Sequence, residues 1–416
     1  MKILYIHQYF ATRESATGTR SYEFSRLLTE MGHEVTVLTG DSKIEHVTKG
    51  THKRRQTHII DGIKVKTIKN SYDNRFGKLR RIGSFLSFLI FSSLMKVTND
   101  EYDVILATST PLTIAIPALI LSKKSRTPFV FEVRDLWPEA PRQLGYLNND
   151  LLYKILKKIE KKTYEEAGQL IALSDGMKEG IKASGIKAEK ISVIPNSCDL
   201  TLFSPTISGT SFREEYNLTN EFVLIHGGSM GVINGLDYLV ETARILQENN
   251  YSEIKIVLTG EGGKEQELKE RARKYGLNNL IFTGTVTKKE MPAYFSGANA
   301  SMMSVADNPV LEMASPNKFF DSLAAGRPII VNCKGWMKQL VEENQNGFYV
   351  DPKKPQELAD LLVKLSDLSN QEIFQMGKRS RYLAETLYDR EELAKQLEKV
   401  LKDTLIKGSS LMEEKR

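Results

Sequence analysis

Residues 315–331 read SPNKFFDSLAAGRPIIV, and this stretch predicts one short helix followed by one buried strand. Ser315 is a residue type that accepts a hydrogen bond at a helix N-cap. Pro316 is tolerated at the first helical position because its missing N–H would be unpaired there. Gly326 can close the other end of the helix, since glycine adopts the left-handed conformation without strain. The boundaries of the helix are therefore set by the sequence itself.

The first turn of this helix carries Asn317 and Lys318, and Asp321 lies one turn further along the same face. The free backbone N–H groups of a helix start, the positive end of the helix dipole and a lysine together suit a phosphate or diphosphate. The carboxylate of Asp321 can accept hydrogen bonds from a vicinal diol such as a ribose. The face predicts a nucleotide site; the alternative is a surface ion pair between Lys318 and Asp321.

The length of 416 residues exceeds what one compact core holds and predicts two or three domains. A net charge of +6 does not favour nucleic acid as a partner, but it is compatible with an anionic lipid surface or a phosphorylated ligand. Cys198 and Cys333 lie far apart in the sequence, which indicates a reducing compartment and no zinc site. Since no signal peptide or stretch of ~18 apolar residues is present, we expect a cytosolic protein without a spanning helix.

Strands and helices alternate along the chain, beginning with a strand at 2–6, a helix at 21–32 and a strand at 33–39. This βαβ order predicts a parallel sheet. Residues 41–58 are polar and basic and are expected to form a surface loop. The alternation restarts at Phe222, so the fold class is α/β with two Rossmann-like doubly wound domains. The expected boundaries are 1–203, 204–388 and a C-terminal helix that packs back on the body, 389–416.

Glycine-rich turns follow two strands of the second domain. The first turn contains Gly228 and Ser229 and leads past Asn234 into a helix, and the second contains Glu261 and Gly262. Strand, glycine-rich turn and helix form a geometry that cradles phosphate, because glycine lets backbone amides approach an anion closely.

The charged stretch from Arg134 to Glu139 follows a strand of the first domain directly. In open α/β sheets, residues just after the carboxyl ends of strands line the ligand crevice. Arg134 and Asp135 are therefore candidate site residues. The alternative is that they pair at a helix start, with Trp137 in the core.

Residues 75–96 combine basic residues, among them Arg75, with an apolar helix too short to span a bilayer. Such a segment is typical of a helix that lies in the interface of an anionic membrane. The alternative is a helix buried in the domain core. For the membrane contact we expect these residues: Arg80, Arg81, Phe85, Phe88 and Phe91.

In this order the motifs resemble a family 4 glycosyltransferase of the GT-B fold, most like the bacterial O-antigen and capsule fucosamine transferase group. The resemblance runs nearly end to end. It rests on the following segments: Gly18 to Phe24 with Gly32 to Val37, Arg134 to Glu139, Ile194 to Ser197 with Asp199 and Phe203, Gly260 to Gly262, and Ser315 to Pro328.

The resemblance implies that Lys318 holds the diphosphate of a nucleotide-sugar donor and that Asp321 stands where the family's glutamate binds the ribose. Gly18 would let the first loop approach the donor, and Glu261 and Gly262 would lie near the base. Further donor contacts are expected at Gly228, Ser229, Asn234, Ser315 and Asn317. The residues expected to act in catalysis are Arg134, Asp135, Glu139 and Lys318.

This chain departs from the family pattern at three positions. Met313 and Asp321 stand where the family has two glutamates eight residues apart, and Asn234 stands where it has a lysine. More of the support for the leaving phosphate therefore falls on Lys318 and on backbone amides. The chain has no Asp-x-Asp motif, so we expect no metal and no cofactor, with the UDP-sugar acting as a substrate.

The function implied is transfer of a sugar, with retention at the anomeric carbon, from a UDP-sugar to a lipid-linked saccharide in O-antigen or capsule assembly. The enzyme would sit peripherally on the inner face of the cytoplasmic membrane, and the sugar expected is an N-acetylated hexosamine or deoxyhexosamine.

A nucleotide-sugar epimerase of the same fold is the main alternative. A dinucleotide-dependent oxidoreductase is disfavoured, because neither glycine turn reads G-x-G-x-x-G with an acidic residue about 20 positions on. A binding protein without chemistry is disfavoured because such proteins are commonly exported.

Overall fold

The computed structural model describes residues 1–15, 18–48, 54–72, 76–99 and 101–413, and the chain divides into two compact units. Unit 1 comprises Met1–Pro195 and Glu391–Arg416, and unit 2 comprises Asn196–Arg390. The division after Pro195 precedes the predicted boundary at residue 203. It falls there because residues 196–203 contact elements of unit 2, as Asn196 does with Ser315.

Unit 1 contains an eight-stranded sheet in the order β3-β4-β2-β1-β5-β6-β7-β8. Every pairing is parallel except that of β3 with β4. Its strands are β1 (Lys2–Ile6), β2 (Glu34–Gly40), β3 (Arg55–Ile60), β4 (Ile63–Ile68), β5 (Val104–Thr108), β6 (Phe129–Val133), β7 (Gln169–Ala172) and β8 (Ile191–Val193). Its helices are α1 (Arg20–Glu30), α2 (Glu45–Thr48), α3 (Lys78–Ser93), α4 (Ala115–Ser125), α5 (Glu139–Gln143), α6 (Asp150–Glu166) and α7 (Asp175–Lys182).

Unit 2 contains a parallel six-stranded sheet in the order β11-β10-β9-β12-β13-β14. Its strands are β9 (Phe222–Gly227), β10 (Ile254–Thr259), β11 (Leu280–Gly284), β12 (Ala300–Met303), β13 (Ile329–Val331) and β14 (Gly347–Tyr349). Its helices are α8 (Thr210–Glu215), α9 (Asp237–Glu248), α10 (Glu265–Lys274), α11 (Met291–Gly297), α12 (Asn317–Ala324), α13 (Trp336–Glu343), α14 (Pro355–Ser366) and α15 (Asn370–Leu387). The last helix, α16 (Arg390–Glu413), adds Leu393, Leu397 and Leu401 to the core of unit 1.

The prediction of a loop over residues 41–58 is wrong in part. Residues 45–48 form α2, and β3 pairs in antiparallel register with β4 along the edge of the sheet. The alternating exposure along β3 is typical of an edge strand that has one face on the body. Lys49 and Lys53, two of the lysines in this predicted loop, lie outside the described residues.

Helix α3 buries one face and exposes the other, so neither prediction for it holds completely. Phe88 is only 1% exposed, which corrects its assignment to a membrane contact. Phe91 lies beneath the Arg54 guanidinium at 4.5 Å, and Phe85 stacks against Tyr72 at 6.1 Å. The large apolar residues exposed on this segment are Leu79, Ile82, Leu86, Ile90 and Leu94. No helix in the described part of the chain is long and apolar enough to cross a membrane.

A buried ion pair between Arg20 and Glu132 joins four elements of unit 1. The Arg20 side chain at the start of α1 contacts the Glu132 carboxylate in β6 at 2.8 Å, and both side chains are at most 2% exposed. Arg20 also donates to the carbonyl of Ile194 after β8, and Glu132 accepts from Thr108 in β5. Burial alone would raise the pKa of Glu132, but the Arg20 charge lowers it, so the pair stays ionised.

We expect Glu132→Gln to destabilise unit 1 by about 3–5 kcal/mol, because the Arg20 charge would stay buried without its partner. The exposed Glu179–Lys182 pair provides the control, since Glu179→Gln should change stability by less than about 1 kcal/mol. Urea unfolding on a Trp336→Phe background leaves Trp137 as the one tryptophan, which reports unit 1. Equal unfolding midpoints for the two variants would contradict the role given to the pair.

Candidate functional site

The helix and strand predicted from residues 315–331 are present as α12 and β13, with Gly326 in the left-handed conformation between them. The predicted N-cap is wrong. Pro316 occupies that position without a side-chain cap, because the hydroxyl and carbonyl of Ser315 both accept hydrogen bonds from Asn196. The first backbone N–H groups of α12 therefore have no side-chain cap, as an anion site at a helix start requires.

Lys318 in the first turn of α12 points toward the loops that follow β9 and β12. Its ammonium donates to the Asn234 side-chain oxygen at 2.6 Å and to the Ser304 carbonyl at 3.2 Å. Within the described ranges Lys318 forms no ion pair with a carboxylate, and burial lowers its pKa to about 7. A partly buried cation among neutral oxygens can be neutralised by a bound anion. The alternative of a Lys318–Asp321 surface pair is therefore wrong.

The glycine-rich turns after β9 and β10 are joined by backbone hydrogen bonds. Gly228 donates to the Thr259 carbonyl, and Met230 donates to the Glu261 carbonyl, both at 2.9 Å. A side chain at Gly262 would place its Cβ only 2.5 Å from the Met230 carbonyl oxygen. Glycine at position 262 therefore permits the close approach of the two turns.

Asn234 connects the first turn to the lysine. Its side-chain amide donates to the Ser229 carbonyl at 2.8 Å while its oxygen accepts from Lys318. A Cβ on Gly228 would lie 3.5 Å from the Lys318 side chain. The structure thus brings together most of the predicted donor-binding residues at the carboxyl edge of one sheet: Gly228, Ser229, Asn234, Glu261, Gly262, Ser315, Asn317, Lys318 and Asp321.

Asp321 pairs with Lys288, a residue that the sequence analysis did not single out. The Lys288 ammonium contacts both carboxylate oxygens, at 2.8 and 2.7 Å, and lies 4.6 Å from the centre of the Phe203 ring. Lys288 lies shortly after the carboxyl end of β11, where ligand-binding residues of such sheets are common. This position could have been used to predict it as a site residue.

His226, at the end of β9, is a second residue that the sequence analysis missed. Its ring is fully buried, Nδ1 lies 3.2 Å from the Met302 carbonyl, and Nε2 has no partner in the described part of the chain. Burial and the charge of Lys318 lower its pKa, so the imidazole is neutral. A neutral, partly unsatisfied ring beside Lys318 adds polarity to the site without adding charge.

In unit 1, Arg134 and Asp135 lie beyond β6 as predicted. Asp135 is exposed and accepts a hydrogen bond from Thr110 at 2.8 Å, while the Arg134 backbone donates to the Ser109 hydroxyl. His7 lies at the same edge of the sheet, after β1, with Nδ1 2.7 Å from the Ser21 hydroxyl; the sequence analysis did not single it out.

The other two predicted residues of unit 1 lie in different surroundings. Glu139 accepts hydrogen bonds from Gln143 and from Tyr153 of α6, and these bonds lower its pKa. Glu139 is thus held against a neighbouring helix. Gly18 is an exposed residue just before α1, and its donor contact stays a prediction. The described residues contain no group of three or more His, Cys, Asp or Glu arranged to hold a metal.

The chain thus has two Rossmann-like units, the second with a lysine and an uncapped helix start at its strand ends. Solved structures identify the fold as GT-B. Sucrose-phosphate synthase from Thermosynechococcus elongatus has a TM-score of 0.75 at 17% identity, over 97% of this chain and 98% of that one. Anabaena HepE, in complex with UDP-glucose, has a TM-score of 0.71 at 20% identity, over 97% of this chain and all of that one.

Residues 17–202 match the family described as Glycosyltransferase Family 4, and residues 221–368 match the family described as Glycosyl transferases group 1. Both matches are to glycosyltransferase families, and together with the GT-B fold they support a family 4 glycosyltransferase. The fucosamine transferase group within that family stays a prediction.

Three curated relatives are similar over part of their length. A glycosyltransferase of Methanocaldococcus jannaschii is 24% identical over 56% of this chain and 59% of its own. TuaH of Bacillus subtilis, named for teichuronic acid biosynthesis, is 24% identical over 51% of this chain and 52% of its own. WcaL of Escherichia coli, named for colanic acid biosynthesis, is 22% identical over 56% of each. The chain thus spans between half and two thirds of the length of these relatives.

We expect Asn234→Asp to weaken pyrophosphate binding at least about tenfold, because the new carboxylate would pair with Lys318 and repel the anion. Asn249→Asp adds the same charge on the exposed end of α9 and should leave binding unchanged. Calorimetric titration with pyrophosphate at pH 7 measures both variants. Equal affinities would show that the anion does not bind beside Lys318.

Proposed function

We propose that this protein is a retaining glycosyltransferase that moves a sugar from a UDP-sugar to a lipid-linked saccharide acceptor during surface polysaccharide assembly. The observation that carries the proposal is the Lys318 ammonium, which lies at an uncapped helix start among neutral oxygens and has no carboxylate partner within the described ranges. A diphosphate leaving group supplies the anion that this arrangement lacks.

The donor would lie along the carboxyl edge of the sheet in unit 2. Its diphosphate would contact Lys318 and the first amides of α12, its ribose would reach Asp321, and its base would lie near Glu261 and Gly262. Gly18, which precedes α1, is proposed as a further donor contact. The UDP and UDP-glucose complexes of HepE support a uridine nucleotide as the donor.

Transfer breaks the bond between the anomeric carbon and the diphosphate oxygen and forms a bond from that carbon to an acceptor hydroxyl, whose proton is released. Negative charge develops on the departing UDP, so a fixed cation and oriented backbone amides lower the barrier. Lys318 would provide that support, while Arg134 and Asp135 of unit 1 would orient the sugar and the acceptor hydroxyl.

The relatives and helix α3 support the proposed class of acceptor. TuaH and WcaL are named for polysaccharide pathways, which supports a saccharide acceptor here. We extend the proposal to a lipid-linked acceptor in O-antigen or capsule assembly, with an N-acetylated hexosamine or deoxyhexosamine as the transferred sugar. An epimerase of the same fold would have no use for a lipid-facing helix.

UDP affinity should fall by up to about tenfold for each pH unit above about 7, because the diphosphate favours the charged form of Lys318, whose pKa is about 7 in the unliganded protein. Above pH 7 at least about 90% of UDP is fully ionised, since its last phosphate pKa is about 6, so UDP itself contributes little to the slope there. Calorimetric titration from pH 6.5 to 9 measures the slope.

Two variants make the pH experiment specific for Lys318. Lys318→Met should weaken UDP binding at every pH, and Lys318→Arg should bind UDP without pH dependence because guanidinium stays protonated. If the UDP affinity of the wild-type protein changed with pH as little as that of Lys318→Arg, Lys318 would not be the residue that binds the diphosphate.

Helix α3 provides the proposed contact with an anionic membrane at the inner face of the cytoplasmic membrane. The exposed stripe of Leu79, Ile82, Leu86, Ile90 and Leu94 recurs at helical spacing and replaces Phe88 of the original prediction. In the sequence, residues 54–99 carry ten lysines and arginines but two acidic residues, Asp61 and Asp73. An apolar stripe beside such a basic surface is complementary to anionic lipid, and the nearby Arg80 and Arg81 would contact the headgroups.

Replacing Leu86, Ile90 and Leu94 by serine should reduce binding to phosphatidylglycerol vesicles at least about tenfold, since burial of these side chains in lipid supplies the apolar part of the affinity. A matched control replaces three exposed apolar residues of α15, Phe374, Tyr382 and Leu387, by serine. Co-sedimentation at two salt concentrations measures both. Equal binding by the two triple variants would remove α3 as the membrane contact.

A further inference from the structure

The proposed function uses Asp321 of the candidate site but not Lys288, the lysine that pairs with it. Both carboxylate oxygens of Asp321 accept from one ammonium, and the two side chains are 15% and 25% exposed. The pair is therefore accessible to a ligand, and the two hydrogen bonds fix the carboxylate relative to the ammonium.

The surroundings of Lys288 hold its ammonium in place. The charge lies 4.6 Å from the centre of the Phe203 ring, and Phe203 is fully buried and packs against Phe295 at 5.8 Å. A cation over an aromatic face is stabilised by the ring quadrupole, and a buried ring does not move away. The Phe203 ring thus fixes the position of the Lys288 ammonium beside Asp321.

The charge of Asp321 on its own would oppose the proposed donor. It lies one helical turn from Lys318, so its carboxylate would repel a diphosphate bound there. The ammonium of Lys288 neutralises that carboxylate at 2.7–2.8 Å and leaves the charge of Lys318 available for the phosphates. The second lysine therefore makes an acid at position 321 compatible with an anion site.

We propose that Lys288 is a ribose-binding residue of the donor site and that it acts with Asp321 as one recognition element for the 2′,3′-diol. This inference rests on the proposed function, since it assigns one part of the same nucleotide to these residues.

The hydrogen-bonding capacities of the pair match a ribose diol. A carboxylate accepts at about four positions and the ammonium donates three hydrogen bonds, so the ion pair leaves acceptors on Asp321 and a donor on Lys288. The two hydroxyls can donate to Asp321 while one hydroxyl oxygen accepts from Lys288. Aspartate is one methylene shorter than the glutamate of the family pattern, and the lysine extends the reach of the pair toward the sugar.

The test compares the binding of UDP and 2′,3′-dideoxy-UDP by calorimetry. The wild-type protein should prefer UDP by about 10- to 100-fold, the range expected for hydrogen bonds to charged groups. Lys288→Met should reduce that preference about tenfold, and Asp321→Asn should also reduce it. Lys288→Arg, which keeps the charge, should retain part of the preference.

Lys269→Met is the matched control. Lys269 also pairs with a carboxylate, that of Glu265 at 2.6 Å, and also lies near an aromatic ring, that of Phe282 at 5.7 Å, but it belongs to α10. Its loss should leave the preference for ribose unchanged. Thermal melting of each variant shows that the fold is retained.

The ratio of the two affinities separates ribose contact from general charge effects. If Lys288 only neutralised Asp321, its loss would weaken both nucleotides equally and leave the ratio unchanged, which would overturn the inference. A wild-type ratio near one would overturn it as well, while UDP binding itself would leave the proposed donor site standing. Failure of the wild-type protein to bind either nucleotide would overturn the proposed function and this inference together.

Discussion

The proposed donor site of unit 2 depends on the ammonium of Lys318, which is held among neutral oxygens at the start of a helix. A charge that has left bulk water needs a partner, and the described residues offer Asn234 and Ser304 but no carboxylate. The uncapped amides of α12 and the close approach of the two glycine turns, which brings backbone amides near Lys318, both favour a negatively charged ligand at this point.

Unit 1 contains the opposite arrangement of a buried cation. Arg20 has a carboxylate partner, Glu132, and two backbone carbonyls, so its charge is satisfied within the unit and serves to join α1, β6 and the end of β8. A buried cation that has a carboxylate partner, such as Arg20, stabilises the fold, whereas one that has only neutral partners, such as Lys318, is a candidate for binding an anion. Lys288 is intermediate, because it is paired with Asp321 yet both side chains remain accessible.

Local signals in the sequence predicted the parts of the fold that depend on neighbouring residues. Gly326 ended α12 where it was predicted to, and the glycine turns were placed at the correct strand ends. The predictions that were wrong depend on residues distant in sequence. Ser315 bonds to Asn196 instead of capping α12, and Asp321 pairs with Lys288, 33 positions away, instead of with Lys318. Phe88 is buried and Leu86 is exposed because one particular face of α3 packs on the body of unit 1. Apolar residues occur all around this helix, so helical periodicity alone does not predict which face is buried.

A crystal structure of the protein with bound UDP would show directly where the diphosphate lies. We expect a diphosphate oxygen within hydrogen-bonding distance of the Lys318 ammonium and of the first backbone amides of α12, with the uridine extending along the carboxyl edge of the sheet in unit 2. A diphosphate bound elsewhere, with the Lys318 ammonium still contacting only Asn234 and Ser304, would contradict the proposed donor site.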